Sequence, residues 1–222
     1  MSASLAGVDP TEVFGFVTGA ICVWLAVRQN VWTFPIGLAN NVAFLILFAG
    51  AGLYANAALQ VLFAVVGALG WYWWTRRGPD GAALVVRRTP GWAWAGAAGV
   101  TALLTIAGLF ALSAWTDSAV PFWDSLTTSS SVVAQVMLGR KWLGNWTVWL
   151  VTDVVLIGLY ASQGLWLTAV LYVVYLAMCV VGMRKWRKAL ASAPAVGRVG
   201  AGVLDADAAD PDAVGTARAG HP

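Results

Sequence analysis

Apolar runs long enough to cross a bilayer alternate with short polar breaks along this chain. A spanning helix needs about 20 mostly apolar residues. The pattern predicts seven of them, over residues 12–28, 32–52, 54–75, 92–115, 124–139, 145–162 and 165–183. The polar stretch "RRGPDGAALVVRRTPG" separates the third from the fourth, and "TDSAVPFW" separates the fourth from the fifth. The first run has no cationic segment before it and no clean cleavage site after it, so it reads as a retained helix rather than a signal peptide. Beyond Arg187 the chain turns rich in Ala, Gly, Asp and Pro and loses its aromatics. Such a composition cannot build a core and predicts a solvated, disordered tail.

The pattern repeats. Sliding residues 12–76 onto 124–188 pairs Glu12 with Asp124, Arg28 with Arg140, Leu38 with Leu150 and Asn41 with Asp153. It also pairs Gly52 with Gly164, Gly70 with Gly182 and Trp74 with Trp186. Each unit holds three helices, and a single helix between them leaves both units in the same membrane orientation. The expected fold is an all-α membrane protein with seven transmembrane helices. Two parallel three-helix repeats are joined by a linker helix (3+1+3), an architecture that places a substrate site near the midplane between halves. The expected layout is an extracytoplasmic N-terminus over 1–11 and a first bundle over 12–75. A cytoplasmic loop over 76–91, the linker helix over 92–115 and an extracytoplasmic loop over 116–123 follow. A second bundle over 124–187 and a disordered cytoplasmic tail over 188–222 complete it.

Composition agrees with the periodicity. The chain of 222 residues is 60% hydrophobic and only 10% charged, against about 25% charged in a soluble domain. Charge then sets orientation. Arg28, Arg76, Arg77, Arg87, Arg88, Arg140, Lys141, Arg184, Lys185, Arg187 and Lys188 all fall on one side of the seven-helix count, joined by Arg198 and Arg218 of the tail. Asp9, Glu12, Asp117 and Asp124 fall on the other. The positive-inside rule puts the N-terminus outside and the C-terminus in the cytoplasm of a cell (plasma or inner) membrane. The net charge of +3 reflects this bias and not nucleic-acid binding. Cys22 and Cys179 lie in apolar runs and read as small packing residues. The one histidine, His221, is next to last in the tail. The residues offer no metal-ligand spacing and no cofactor motif, and the reading is of a chain that is not an enzyme.

Polar side chains within the apolar runs are costly in hydrocarbon and face a bundle interior or cavity. On the sixth helix Trp142, Trp146, Trp149 and Asp153 share one face, with Asn145 at its edge. Asp153 lies roughly 12 Å along the axis from Asn145, near the middle of a ~30 Å hydrocarbon core. An aromatic lane leading to a mid-membrane acid is therefore expected. On the second helix Asn41 is the repeat partner of Asp153. On the fifth, Asp124, Thr128, Ser131 and Gln135 form a polar stripe, although Ser and Thr often bond their own helix backbone. Gln60 sits inside the third helix, and the "GWYWW" that ends this helix places Trp73 and Trp74 as interfacial belt residues. Together these groups describe a small molecule with a flat, neutral or cationic aromatic ring and a polar appendage. A phosphorylated ligand fits badly, because no Lys or Arg lies within the helices away from one rim.

The stretches "PFWDS" (121–125), "AQVMLGRKWLGNWTVWLVTDVV" (134–155), "GLYA" (52–55 and 158–161) and "GWYWW" (70–74) resemble the PnuC-type vitamin transporters. The best-known class of that family carries nicotinamide riboside on a SWEET-like fold. The resemblance runs from about residue 12 to 187. It implies facilitated diffusion of nicotinamide riboside, an NAD precursor, with trapping by a cytoplasmic riboside kinase and no ATP used by the carrier. It places Asn145, Trp146 and Trp149 at the ligand, and matches Gln60, Gln135, Asp124 and Asp153 to recurring family positions. The substrate-binding set expected is thus Gln60, Asn41, Asp124, Thr128, Ser131, Gln135, Asn145, Trp146, Trp149 and Asp153. The first repeat departs at Pro35, where the second has Thr147. Family members also carry thiamine or riboflavin, and the intact "NWTVW" favours nicotinamide riboside.

Other classes fare worse. An intramembrane enzyme needs a nucleophile–base pair or metal ligands at depth, and the runs hold no histidine. A structural or sensory bundle would keep an apolar interior. A proton-coupled carrier is the alternative within transport, with Asp153 as the proton acceptor. Oligomerisation is open, since both repeats in one chain close a path without a partner.

Overall fold

The computed structural model describes residues 10–76, 83–115 and 120–192. The expected N-terminal segment, the disordered tail beyond 192, and parts of the loops between the third and fourth and the fourth and fifth helices lie outside the described residues. Among the described residues the chain forms seven helices: α1 (Pro10–Val27), α2 (Thr33–Gly50), α3 (Tyr54–Thr75), α4 (Gly91–Trp115), α5 (Pro121–Gly139), α6 (Asn145–Ser162) and α7 (Trp166–Ser192). Five helical stretches, in α2, α3, α4, α6 and α7, are apolar and long enough to cross a membrane, and α1 supplies the shorter apolar stretch Phe14–Val27. α7 ends at Ser192 rather than at Met183. Its last turns keep good helix formers, so cations at Arg184, Lys185, Arg187 and Lys188 do not end it.

The helices break at matched places in the two repeats, and the breaks have the same geometry. α2 and α6 end on Gly52 and Gly164, with φ of 74° and 75°. Leu53 N–H reaches Phe48 O at 2.8 Å and Leu165 N–H reaches Tyr160 O at 2.9 Å, the bond that closes a left-handed helix cap. α1 and α5 end the same way on non-glycine residues. Gln29 and Lys141 have φ of 54° and 51°, and Asn30 N–H and Trp142 N–H bond back to Leu25 O and Met137 O. A side chain in this region costs about 1 kcal/mol, which the cap bonds offset. Recurrence of a disfavoured conformation at equivalent turns ties the two halves to one architecture.

Packing repeats too. The Phe34 ring sits where a Cβ on Gly70 would stand, at 2.5 Å, and the Trp146 ring does the same over Gly182 at 2.6 Å. Both rings then meet a tryptophan edge-on: Phe34 with Trp74 at 5.0 Å, and Trp146 with Trp186 at 5.4 Å. Those two tryptophans bond across the halves. Trp74 Nε1 donates to Leu138 O at 3.3 Å, and Trp186 Nε1 donates to Ala26 O at 3.2 Å. Leu138 and Ala26 are themselves repeat partners, so each half gives its last helix's indole to the other half's first helix. Trp73 and Trp74 are therefore not simple belt residues: Trp74 is an inter-repeat contact, and Trp73 carries the Arg140 guanidinium 4.2 Å above its ring. Lys141 lies 4.4 Å from the Trp74 ring, and burial pushes its ammonium below the ordinary lysine range.

α5 is the hub, with backbone close to α3, α4 and α6. Its small residues allow this; a Cβ on Gly139 would lie 3.0 Å from Gly70 Cα. Much of its polar face is turned inward on itself: the Thr127, Ser129, Ser130 and Ser131 hydroxyls donate to carbonyls four residues earlier, while Ser125 Oγ is buried without a partner. The outer surface is apolar, with Phe110, Leu103, Ile106 and Ile46 more than half exposed, as lipid contact requires. The described part of the α3–α4 loop is docked rather than free. Val86 is buried in the core, and Arg87 exchanges backbone bonds with Lys141 and Leu143.

Gly182→Ala is expected to destabilise the fold by about 1–3 kcal/mol, because the new methyl displaces the Trp146 ring from a packed core. Gly158→Ala, with open space around its Cα, is expected to leave stability unchanged or slightly raised. Thermal unfolding of both variants in detergent checks the contrast.

Candidate functional site

A cavity of ≈ 260 Å³ lies between the two repeats. α1 contributes Gly19, Cys22, Val23 and Ala26, and α2 contributes Thr33 and Gly37. α5 adds Gln135 and Leu138, α6 adds Trp146, Trp149 and Asp153, and α7 adds Tyr172, Tyr175 and Cys179. The spacing of Trp146, Trp149 and Asp153 puts all three on one face of α6, and that of Tyr172, Tyr175 and Cys179 does the same on α7. Neither α3 nor α4 reaches it. Ala26 and Leu138, the two carbonyl acceptors of the inter-repeat indoles, form its floor, so the lock at the cationic end of the bundle is also the end of the cavity.

The chemistry inside is sparse and specific. Asp153 is buried and accepts a hydrogen bond from the Cys179 thiol at 3.5 Å. Thr33 Oγ1 is used by Cys22 O at 2.9 Å. Tyr175 reaches Phe16 O at 3.3 Å, and its hydroxyl fills the space a side chain at Gly19 would need. Tyr172 stands edge-on to Tyr175 at 5.6 Å and is stacked with Tyr160 at 5.3 Å. The Gln135 amide has no hydrogen bond from a described residue and is open to the cavity it lines. Among the described residues no Lys or Arg takes part in the lining. Among the described residues no cluster of three potential metal ligands occurs.

Of the residues singled out from sequence, the structure brings Gln135, Trp146, Trp149 and Asp153 to this cavity. Asn145 lies just outside it, fully buried, with Nδ2 donating to Trp142 O at 2.6 Å and Oδ1 left without a partner. The Trp146 indole N–H is likewise buried without an acceptor. Trp142 leaves the expected lane and packs edge-on to Trp92 at 5.5 Å. Asn41 and Gln60 are half-buried on α2 and α3, away from the cavity; it is the neighbouring Asn40 that pairs with Thr18 of α1, at 3.2 Å. Asp124 sits in the first turn of α5, far from the α5 residues that line the cavity. Thr128 is half-buried outside it, and the Ser131 hydroxyl is spent on Thr127 O. Sequence reasoning passed over Tyr172 and Tyr175, and it took both cysteines for packing. The missed signal was the i, i+3, i+7 stripe of Tyr172, Tyr175 and Cys179 on α7.

Comparison with known proteins yields four findings. The model of a family described as nicotinamide mononucleotide transporter matches residues 9–188. The nicotinamide riboside transporter PnuC of Escherichia coli (strain K12) is 28% identical over 200 residues, covering 79% of this chain and 84% of that protein. The riboflavin/roseoflavin transporter RibM of Streptomyces davaonensis is 29% identical over 180 residues, with coverage of 79% and 84%. The crystal structure of the vitamin B3 transporter PnuC superposes with a TM-score of 0.63 at 22% identity, covering 81% of each chain; the fold is thus shared.

Trp149→Ala removes a cavity wall and is expected to reduce solute exchange by about tenfold or more, the scale of losing one buried aromatic contact. Thr105→Ala on α4 touches only an intrahelical bond, to Thr101 O at 2.7 Å, and is expected to change it by less than about twofold. Counterflow in reconstituted vesicles measures both.

Proposed function

This chain belongs to the nicotinamide mononucleotide transporter family, and we propose that it is a facilitative carrier of nicotinamide riboside. The observation that carries the reading is the inter-repeat cavity itself: aromatic walls, a free amide at Gln135, a carboxylate at Asp153 and no cationic side chain among the described residues. A pyridinium ring can lie against Trp146, Trp149, Tyr172 or Tyr175, and ribose hydroxyls find acceptors in Gln135 and Asp153. A phosphate would enter without a Lys or Arg to neutralise it, at a high desolvation cost. The absence of such a partner favours the riboside over the mononucleotide of the family's description.

Movement between halves follows the family architecture, in which repeats rock about a central site. The reciprocal indole bonds hold one mouth shut, and their release would open it. Asn41, Gln60, Asp124, Thr128, Ser131 and Asn145 belong to this reading as groups that meet the solute, or frame its path, when the cavity changes shape. The carrier would sit in the cell membrane with its N-terminus outside and its cationic rim in the cytoplasm, where a riboside kinase would draw uptake inward by phosphorylation. The layout of two bundles, linker and polar tail, and the option of a homo-oligomer, form part of the same proposal. No chemical step is assigned to the chain.

Riboflavin is the second reading, supported by the equally similar RibM. Cavity size weighs against it. At ≈ 260 Å³ the space falls just below the range of ligand sites, which starts at about 300 Å³. It suits one ring and a sugar better than a three-ring flavin.

Proteoliposomes containing the chain are expected to take up labelled nicotinamide riboside saturably without ATP, and excess unlabelled nicotinamide riboside is expected to block it. Block by riboflavin and not by nicotinamide riboside would move the assignment to the second reading. A reporter fused after Pro222 is expected to face the cytoplasm; protection from proteolysis in right-side-out cells checks this, and cleavage there would overturn the orientation.

A further inference from the structure

The cavity pairs one carboxylate with four aromatic rings and, among the described residues, offers no cation in return. Asp153 is 3% exposed. Its Oδ2 accepts from Cys179, and its Oδ1 receives no hydrogen bond from a described residue. A carboxylate withdrawn from water without a charge partner is unfavourable, and in a membrane protein such a group faces a pathway or a partner. Trp146 and Trp149 precede Asp153 on the same face of α6, two turns and one turn away. Tyr172 and Tyr175 approach from α7. Ring faces carry negative potential and attract cations, more so when water is excluded. Carboxylate and rings thus point to one kind of occupant, a flat ring with a delocalised positive charge.

We propose that Asp153 sets the charge preference of this carrier, admitting a permanently cationic heteroaromatic ring and discriminating against the same ring when neutral. The substrate class is then an N-substituted pyridinium or a similar ring cation, which has no acidic proton to exchange. Its pairing with Asp153 is electrostatic and leaves the Cys179 hydrogen bond in place. Neutral ring systems of similar shape lose that pairing and leave the carboxylate uncompensated. The proposal rests on the carrier reading above and adds a rule that it does not contain, since a riboside site could recognise sugar and amide alone.

The test uses the full chain in liposomes, with exchange of labelled nicotinamide riboside competed by nicotinamide riboside or by its 1,4-dihydro form, which keeps the amide and ribose but has no charge. The native chain is expected to favour the cation by about tenfold or more. Asp153→Asn keeps the size of the side chain and is expected to bring the two forms within about twofold of each other, mainly by weakening the cation. Asp153→Glu keeps the charge and is expected to keep the preference. Equal competition by both forms in the native chain, or an undiminished preference in Asp153→Asn, overturns the proposal. Should Asp153→Asn not fold, the native ratio and the Asp153→Glu ratio decide it. A native chain that exchanges neither form defeats the nicotinamide riboside reading on its own. Quenching of tryptophan fluorescence by thiamine, a ring cation, against riboflavin, which is neutral, then decides the charge rule. Preference for thiamine supports it, and preference for riboflavin overturns it.

Discussion

Backbone carbonyls at the end of a helix have no intrahelical partner, and within hydrocarbon no water stands ready to satisfy them. At Ala26 and Leu138 the chain's own turn supplies one bond, from Gln29 N–H and Lys141 N–H at 2.9 Å each, and the other half supplies a second. Trp186 of the second repeat serves Ala26 of the first, and Trp74 of the first serves Leu138 of the second. Each bond is modest, about 1 kcal/mol by the standard of membrane interhelical bonds. Their placement matters more than their strength. They fix the two repeats at one end, hold Trp146 edge-on against Trp186, and make the floor of the cavity out of the same two residues. A contact that is weak, paired and set at one mouth is suited to being broken and remade during transport.

The scaffold is symmetric while the site is not. At matched positions the first repeat has Gly37 where the second has Trp149, Val23 where the second has Gln135, and Asn41 where the second has Asp153. The first repeat therefore supplies space, and the second supplies rings, amide and charge. Gly19 lets the Tyr175 hydroxyl opposite occupy volume that a side chain would otherwise fill. Gln60, the repeat partner of Tyr172, lies away from the cavity that Tyr172 lines. Duplication preserved the packing, since Gly70 and Gly182 still receive a ring each, and left the polar groups free to diverge.

Much of the fold was legible because its signals are local. Runs of apolar residues near the thickness of a bilayer gave α3 and α6 to the residue, and the 112-residue offset anticipated equivalent turns at Gly52 and Gly164. The end of α7 was not legible, because a cationic turn in water continues a helix as readily as it stops one. The site was read in part. Trp146, Trp149 and Asp153 share a helical face that periodicity reveals, but the same periodicity put Trp142 in the lane, and packing against Trp92 took it out. The α5 stripe looked like a row of ligands, but Ser131 bonds Thr127 O of its own helix, and of the stripe Gln135 alone lines the cavity.

The sequence by itself determined the seven helices, their pairing into repeats and the acid within the sixth, because hydrophobic length, spacing and the cost of buried charge act along one segment at a time. Only the tertiary structure decided which polar groups meet. The reciprocal indole bonds, the Cys179–Asp153 contact and the wall of Tyr172 and Tyr175 all join segments far apart in the chain. Such meetings depend on how each helix is rotated against its neighbours, and that rotation is set by ring-over-glycine packing that one-dimensional periodicity does not encode.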